Sequence, residues 1–207
     1  MPDFSYEKNC PTQGLVFGID EAGRGPWCGP VVAACVCWPN YQIDPDLAHQ
    51  INDSKKLSAT KREILFPRIM QSGAHIGIGQ ASAEEIDQLN ILQATFLAMH
   101  RALLDAASKG HPADFALIDG NRLPKWELPC QALIKGDSLS LSIAAASIIA
   151  KVTRDHIMQK LAKEFPQYGW DKNAGYGTAE HIAALKKHGI TPHHRKTYKP
   201  IMALLNG

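Results

Sequence analysis

Apolar residues fall along this chain in two rhythms. Nearly continuous runs at 15–19 (LVFGI) and 31–38 (VVAACVCW) read as strands buried on both faces. Shorter runs at 75–80, 115–118 and 130–134 also read as strands. Between them the spacing turns helical. Ser58 is a predicted N-cap for a helix reaching about residue 70. A long helix is predicted over 90–108, with Ile91, Leu92, Thr95, Phe96, Met99 and Leu103 as its apolar positions and Gly110 as its stop. Residues 142–165 are rich in Ala, Ile and Leu until Pro166 ends the helix, and 178–188 and 199–205 are shorter helices. Strands alternating with helices predict an α/β sheet. No repeat or linker interrupts the pattern, so one domain is expected over 1–207, with a helical C-terminal extension from about 178. The Pro- and Gly-containing stretch 166–177 is expected to be a functional loop.

Composition narrows the class. A chain of 207 residues can bury a core without staples, and 45% hydrophobic with 20% charged residues is globular rather than disordered. The N-terminal residues lack the basic start and apolar core of a signal peptide, and no apolar run is long enough to span a bilayer. A cytosolic location without membrane contact is expected. The five cysteines are odd in number and show no CxxC spacing, which predicts reduced thiols rather than disulfides or a zinc site. Net charge of +2 says little, but its distribution says more. Lys55, Lys56, Lys61 and Arg62 form one basic cluster, and His193, His194, Arg195, Lys196 and Lys199 form another. Each reads either as solvated surface or as a track for phosphates.

The chemistry-bearing residues lie at strand ends. Asp20 and Glu21 close a buried strand with two adjacent acids, an arrangement that repulsion and desolvation both oppose unless a cation offsets them. Mg²⁺ or Mn²⁺ would do so, because both prefer carboxylate and water oxygens. Asp119 and Asp137, at the exits of two other strands, are the natural recruits. Gly23, Arg24 and Gly25 follow, giving a backbone that a substrate can approach closely and a guanidinium suited to phosphate. Alone, the acidic pair would read as an ordinary turn. None of the nine histidines sits in an HExxH arrangement, so a catalytic zinc is not expected. Asp155 lies some 20 Å along its helix at a rise of roughly 1.5 Å per residue, and reads as a structural ion-pair partner rather than a ligand.

Six motifs then occur in order: GIDEAGRGP at 18–26, DSKKLS at 53–58, IDGN at 118–121, KGD at 135–137, AASIIAKVTRD at 145–155 and GYGT at 175–178. Together they resemble the bacterial ribonuclease HII, or type 2 ribonuclease H, family over residues from about 17 to 205. The resemblance implies a ribonuclease H fold: a central mixed five-stranded sheet flanked by helices, with four carboxylates gathered at one edge. These carry over to Asp20, Glu21, Asp119 and Asp137. It implies hydrolysis of the RNA strand of RNA–DNA hybrids and nicking of duplex DNA on the 5′ side of a single embedded ribonucleotide, leaving 3′-hydroxyl and 5′-phosphate ends. Hybrid removal and ribonucleotide excision repair would be its roles.

Two metal ions roughly 4 Å apart suit that reaction, with Asp20 expected to bridge them and no side-chain nucleophile required. Discrimination must rest on the 2′-hydroxyl. In the family the Gly-Arg-Gly loop and a following tyrosine read it, which maps to Gly23, Arg24, Gly25 and Tyr176. Lys55, Lys56, Ser138 and Thr178 look similar to the family's phosphate contacts, and Arg195 and Lys196 either extend that track or are simply solvated. A monomer is expected. The rival readings are a non-catalytic hybrid-binding protein of the same fold and a metal-free hydrolase using two carboxylates as acid and base.

Overall fold

The computed structural model describes residues 1–206. Its strands are β1 (Val16–Ala22), β2 (Val31–Cys37), β3 (His75–Ala81), β4 (Phe115–Asp119) and β5 (Cys130–Leu133), in one mixed sheet of order β3-β2-β1-β4-β5. β1 pairs antiparallel with β2 and parallel with β4, which is itself parallel to β5. The expected sheet is therefore present. β1 runs longer than its apolar core, so Asp20 and Glu21 are strand residues rather than residues after it. The helices are α1 (Ser5–Lys8), α2 (Pro45–Gln50), α3 (Ala59–Met70), α4 (Ala83–Leu89), α5 (Ile91–Ser108), α6 (Leu141–Glu164), α7 (Trp170–Asn173), α8 (Ala179–His188) and α9 (Lys199–Asn206).

Both faces of the sheet are covered, which is why its strands are continuously apolar. Alternation along β1 and β2 sends Phe17, Ile19, Ala33 and Cys35 toward Ala98, Met99 and Ala102 of α5. The other parity sends Ala34 and Val36 toward Ala145, Ile148 and Ile149 of α6. Gly18 lies on that second face, where a Cβ would stand 2.3 Å from the Ile143 backbone nitrogen. Strand and helix thus approach as closely as a glycine allows.

Side chains fix the helix starts. Ser58, Asn90 and Ser140 accept hydrogen bonds from the first turns of α3, α5 and α6. The start of α6 has a second support. Glu7, buried on α1, accepts from the Ser140 hydroxyl at 2.6 Å and from the Ser142 N–H at 3.0 Å, a carboxylate at the positive end of a 24-residue helix. α1, α2, α4 and α7 were not expected from the sequence. α4 carries a readable signal, a capping box between Ser82 and Glu85. The stretch 166–177 is not an open loop, since it folds into a 3₁₀ turn at Pro166–Tyr168 followed by α7, with Tyr168 and Trp170 buried.

Candidate active site

Strand parity builds the site. Asp20 follows Gly18 on the α6 face of β1, and Asp119 is the next residue after Ile118, which pairs with Ile19 in the parallel register. Neighbours in register share a face, so the two aspartates stand side by side. Asp137 comes from the 3₁₀ turn Gly136–Ser138 just before α6. That turn is tied to β4 by the Gly136 N–H, which donates to Asp119 Oδ1 at 2.7 Å. Asp20, Asp119 and Asp137 each place a carboxylate oxygen within 4.8 Å of the others. Glu21, one residue on, faces the opposite side. It lines a cleft of about 340 Å³ with Leu92, Thr95, Phe96 and Met99 of α5, and its Oε1 pairs with Arg24 Nη1 at 3.2 Å. Three of the four expected carboxylates converge, and the fourth adjoins them across the strand edge, where Asp119 borders the same cleft.

The cluster is only partly compensated electrostatically. Burial, reinforced by Glu21 and Asp119, holds the Asp20 carboxyl well above the usual carboxylate range. Burial also raises Glu21, against the pull of Arg24, and raises Asp137, with Asp119 adding to the effect. Lys55 faces the group. Burial alone would lower its ammonium, yet Asp20, Asp137, Asp53 and Asp119 raise it. Hard oxygen donors, with no thiol or imidazole among them, fit a divalent cation of the Mg²⁺ or Mn²⁺ kind. The thiols offer no alternative chemistry, as burial pushes Cys28, Cys35 and Cys37 up to about 12.

The family model of ribonuclease HII matches residues 17–201, the span that carries all three clustered aspartates. The chain belongs to the ribonuclease HII family. Ribonuclease HII of Rhodospirillum rubrum is 55% identical over 99% of this chain and 92% of its own length. That of Magnetococcus marinus is 56% identical over 91% of this chain and 86% of its own. Among solved structures, ribonuclease H2 of Pyrococcus horikoshii superposes with a TM-score of 0.74 at 26% identity, covering 93% of this chain and 97% of that one. RNase HII of Archaeoglobus fulgidus, solved in complex with PCNA, gives 0.68 at 27% identity, covering 89% and 95%. As a ribonuclease HII the chain is a hydrolytic endoribonuclease, and no described helix is long and apolar enough to cross a membrane.

The remaining residues singled out in the sequence surround this acidic cluster of the ribonuclease HII chain unevenly. Lys56 Nζ donates to Ser138 Oγ at 2.9 Å, joining the DSKKLS segment to the turn that carries Asp137. Tyr176 is exposed, with its ring edge against Gly25. Thr178 is the N-cap of α8, its hydroxyl oxygen accepting from the His181 N–H at 3.3 Å. Asp155 pairs with Lys151 and Arg62, as expected of a structural residue. The second basic cluster needs correction. His194 and Arg195 are buried, and Arg195 spends its donors on backbone carbonyls, so neither can be a solvated or phosphate-facing surface cation.

The histidines of this region form a buried relay under Tyr176. His181 Nδ1 lies 2.9 Å from the Tyr176 carbonyl, which can only accept, so that nitrogen carries the proton. The Thr191 N–H donates to His194 Nδ1 at 2.9 Å, which leaves the His194 proton on Nε2, 3.1 Å from His181 Nε2. Trp170 Nε1 donates to the same acceptor at 3.2 Å. Every donor has one acceptor only while both rings are neutral. Burial first, then the neighbouring His181, push His194 down to about 4 from an ordinary 6.5. The unfolded chain therefore binds more protons than the folded one between those values, and stability falls as pH drops through that window. Lowering the pH to 5 should remove about 2 kcal/mol by this group alone. A melting profile in which H194Q is less stable at pH 7 yet flatter toward acid would verify it.

Proposed function

We propose that this chain hydrolyses the RNA strand of RNA–DNA hybrids and nicks duplex DNA on the 5′ side of a single embedded ribonucleotide, leaving 3′-hydroxyl and 5′-phosphate ends. Ribonucleotide excision repair and hybrid removal are the roles that follow, for a monomer acting in the cytosol. The observation that carries the reading is the convergence of Asp20, Asp119 and Asp137 beside the Gly23–Arg24–Gly25 loop and the exposed ring of Tyr176. Asp20, Asp119 and Asp137 would hold Mg²⁺ or Mn²⁺, with Glu21 completing the set from the adjoining cleft. Such ions activate a water and stabilise the leaving 3′-oxygen.

The chain's own groups do the rest. Arg24, half-exposed beside Glu21, offers a guanidinium to a phosphate entering the cleft. Lys55 and Lys56 draw the backbone toward the aspartates, and the hydroxyls of Ser138, bonded to Lys56, and Thr178 would donate to phosphate oxygens. Tyr176 offers a flat face to a sugar, and the Gly23–Gly25 backbone offers N–H groups to its 2′-hydroxyl. No side chain need act as a nucleophile.

Duplexes containing one, four or no ribonucleotides, incubated with each ion in turn, test the proposal. Cleavage 5′ to the ribonucleotide, lost on adding chelator and absent for the all-DNA duplex, is the expected result. A cut on the 3′ side, or activity that survives chelation, would overturn it.

A further inference from the structure

Two arginines are buried without a carboxylate. Arg154 on α6 is 1% exposed and Arg195 is 0% exposed. Neither takes part in an ion pair among the described residues. Burial pushes Arg154 down only to about 10, so it is a cation at neutral pH. Burying a guanidinium is costly unless its donors are met, and here backbone carbonyls meet them.

Those carbonyls belong largely to one loop. Arg195 Nη2 donates to Gly23 O at 2.5 Å, Nη1 to Arg24 O at 2.9 Å, and Nε to Gly29 O at 3.0 Å. Arg154 donates from Nη2 to Cys28 O and from Nε to Pro30 O, each at 3.0 Å. Its Nη1 reaches Ala174 O at 3.0 Å, beside the segment that carries Tyr176. Tyr198 adds a further bond, its hydroxyl donating to Arg24 O at 2.6 Å while accepting from Arg195 Nη1 at 2.9 Å.

Peptide geometry converts this into a statement about the opposite side of the loop. Among the described residues every peptide bond is trans, so a carbonyl and the N–H that follows it point in opposite directions. With the Gly23 and Arg24 carbonyls drawn inward to Arg195, the Arg24 and Gly25 N–H groups face outward. Among the described residues neither N–H donates to another backbone group. Gly23 sits at φ +97°, a conformation that favours glycine, and a Cβ there would meet Arg154 Nε at 2.0 Å. The loop is therefore held from beneath in a shape that presents two free donors, with the Tyr176 ring against Gly25.

We propose that Arg195, with Arg154 beside it, is the positioning residue for ribonucleotide recognition: from the interior it fixes the Gly23–Gly25 backbone so that its outward N–H groups meet the ribose of the substrate. This rests on the reading of that loop as the ribonucleotide sensor. It makes Arg195 a residue that selects substrate without touching it. Lysine carries the same charge, but its donors sit on one nitrogen, so it cannot reproduce the planar fork that reaches the Gly23, Arg24 and Gly29 carbonyls from three nitrogens.

The test uses Asp20→Asn protein, expected to bind without cutting, and compares dissociation constants for a duplex with one ribonucleotide and the same duplex in all-DNA form. The parent should prefer the ribonucleotide. Adding R195K should reduce that preference about tenfold, the value of roughly one well-placed hydrogen bond to a polar partner. The all-DNA affinity and the far-ultraviolet circular dichroism should stay as in the parent, which a general structural defect would not allow. Y198F, which removes one carbonyl bond and keeps the ring, should shift the preference in the same direction by about threefold. A folded R195K with the parent's preference overturns the proposal. Should R195K fail to fold, unchanged preference in Y198F overturns it instead. A parent with no preference would sink the sensor reading itself, and the proposal with it.

Discussion

Asp20→Asn should lower hydrolysis by roughly three orders of magnitude or more, because it removes a carboxylate that would hold the ion on which the reaction depends. The same substitution should stabilise the metal-free protein. Asp20 is 5% exposed and shares a 4.8 Å cluster with Asp119 and Asp137, so its charge is unfavourable in the empty fold. Its folded proton affinity lies above the ordinary 3.8, which means that the folded state holds more protons than the unfolded one from that value upward. The carboxylate therefore costs stability as pH rises through that window, and an asparagine of the same shape does not. Melting temperature should rise by a few degrees in D20N without divalent ions. Adding Mg²⁺ or Mn²⁺ should raise the wild-type value and change D20N much less. Cleavage assays on denaturing gels, run beside calorimetry with and without each ion, check both halves. Retained cleavage in D20N would remove Asp20 from the mechanism.

Gly18→Ala should produce a large loss of stability, about 3 kcal/mol or more, because the clash is with backbone rather than with a movable side chain. An added Cβ would stand 2.3 Å from Ile143 N and 2.4 Å from Ser142 C. β1 and α6 can relieve that only by separating. Asp20 is two residues farther along the same face of β1, and Asp137 sits in the turn that leads into α6. The strain is therefore delivered to the gap between two clustered carboxylates. Chemical denaturation should show the lower stability. Residual activity under conditions where the variant is folded should still be depressed, and higher Mn²⁺ should restore part of it if the site has merely widened. Wild-type stability in this variant would mean that the close approach of strand and helix is not required.

Much of this was legible in the residues. The apolar runs locate the five described strands, Ser58 and Pro166 mark a helix start and a helix stop, and the motifs single out Asp20, Asp119 and Asp137. What escaped was set by tertiary direction. Glu21 reads as the twin of Asp20, yet a period of two turns the pair to opposite faces, a consequence that appears only once β1 is known to extend through both. Arg195 stands in a His-His-Arg-Lys run that looks like a solvated patch, and no local signal reveals that carbonyls of residues 23, 24 and 29 converge on it. α1 and α2 are too short for periodicity to register.

The buried Glu7 carries a practical lesson for anyone trimming this enzyme. A boundary drawn at the family match, 17–201, would discard it. Its carboxylate is the bolt that locks Ser140 and Ser142 at the head of α6, three and five residues beyond Asp137. A shortened version could keep every motif residue and still let the turn that carries Asp137 drift, so the first ten residues are better treated as part of the fold than as a tail to be cut away.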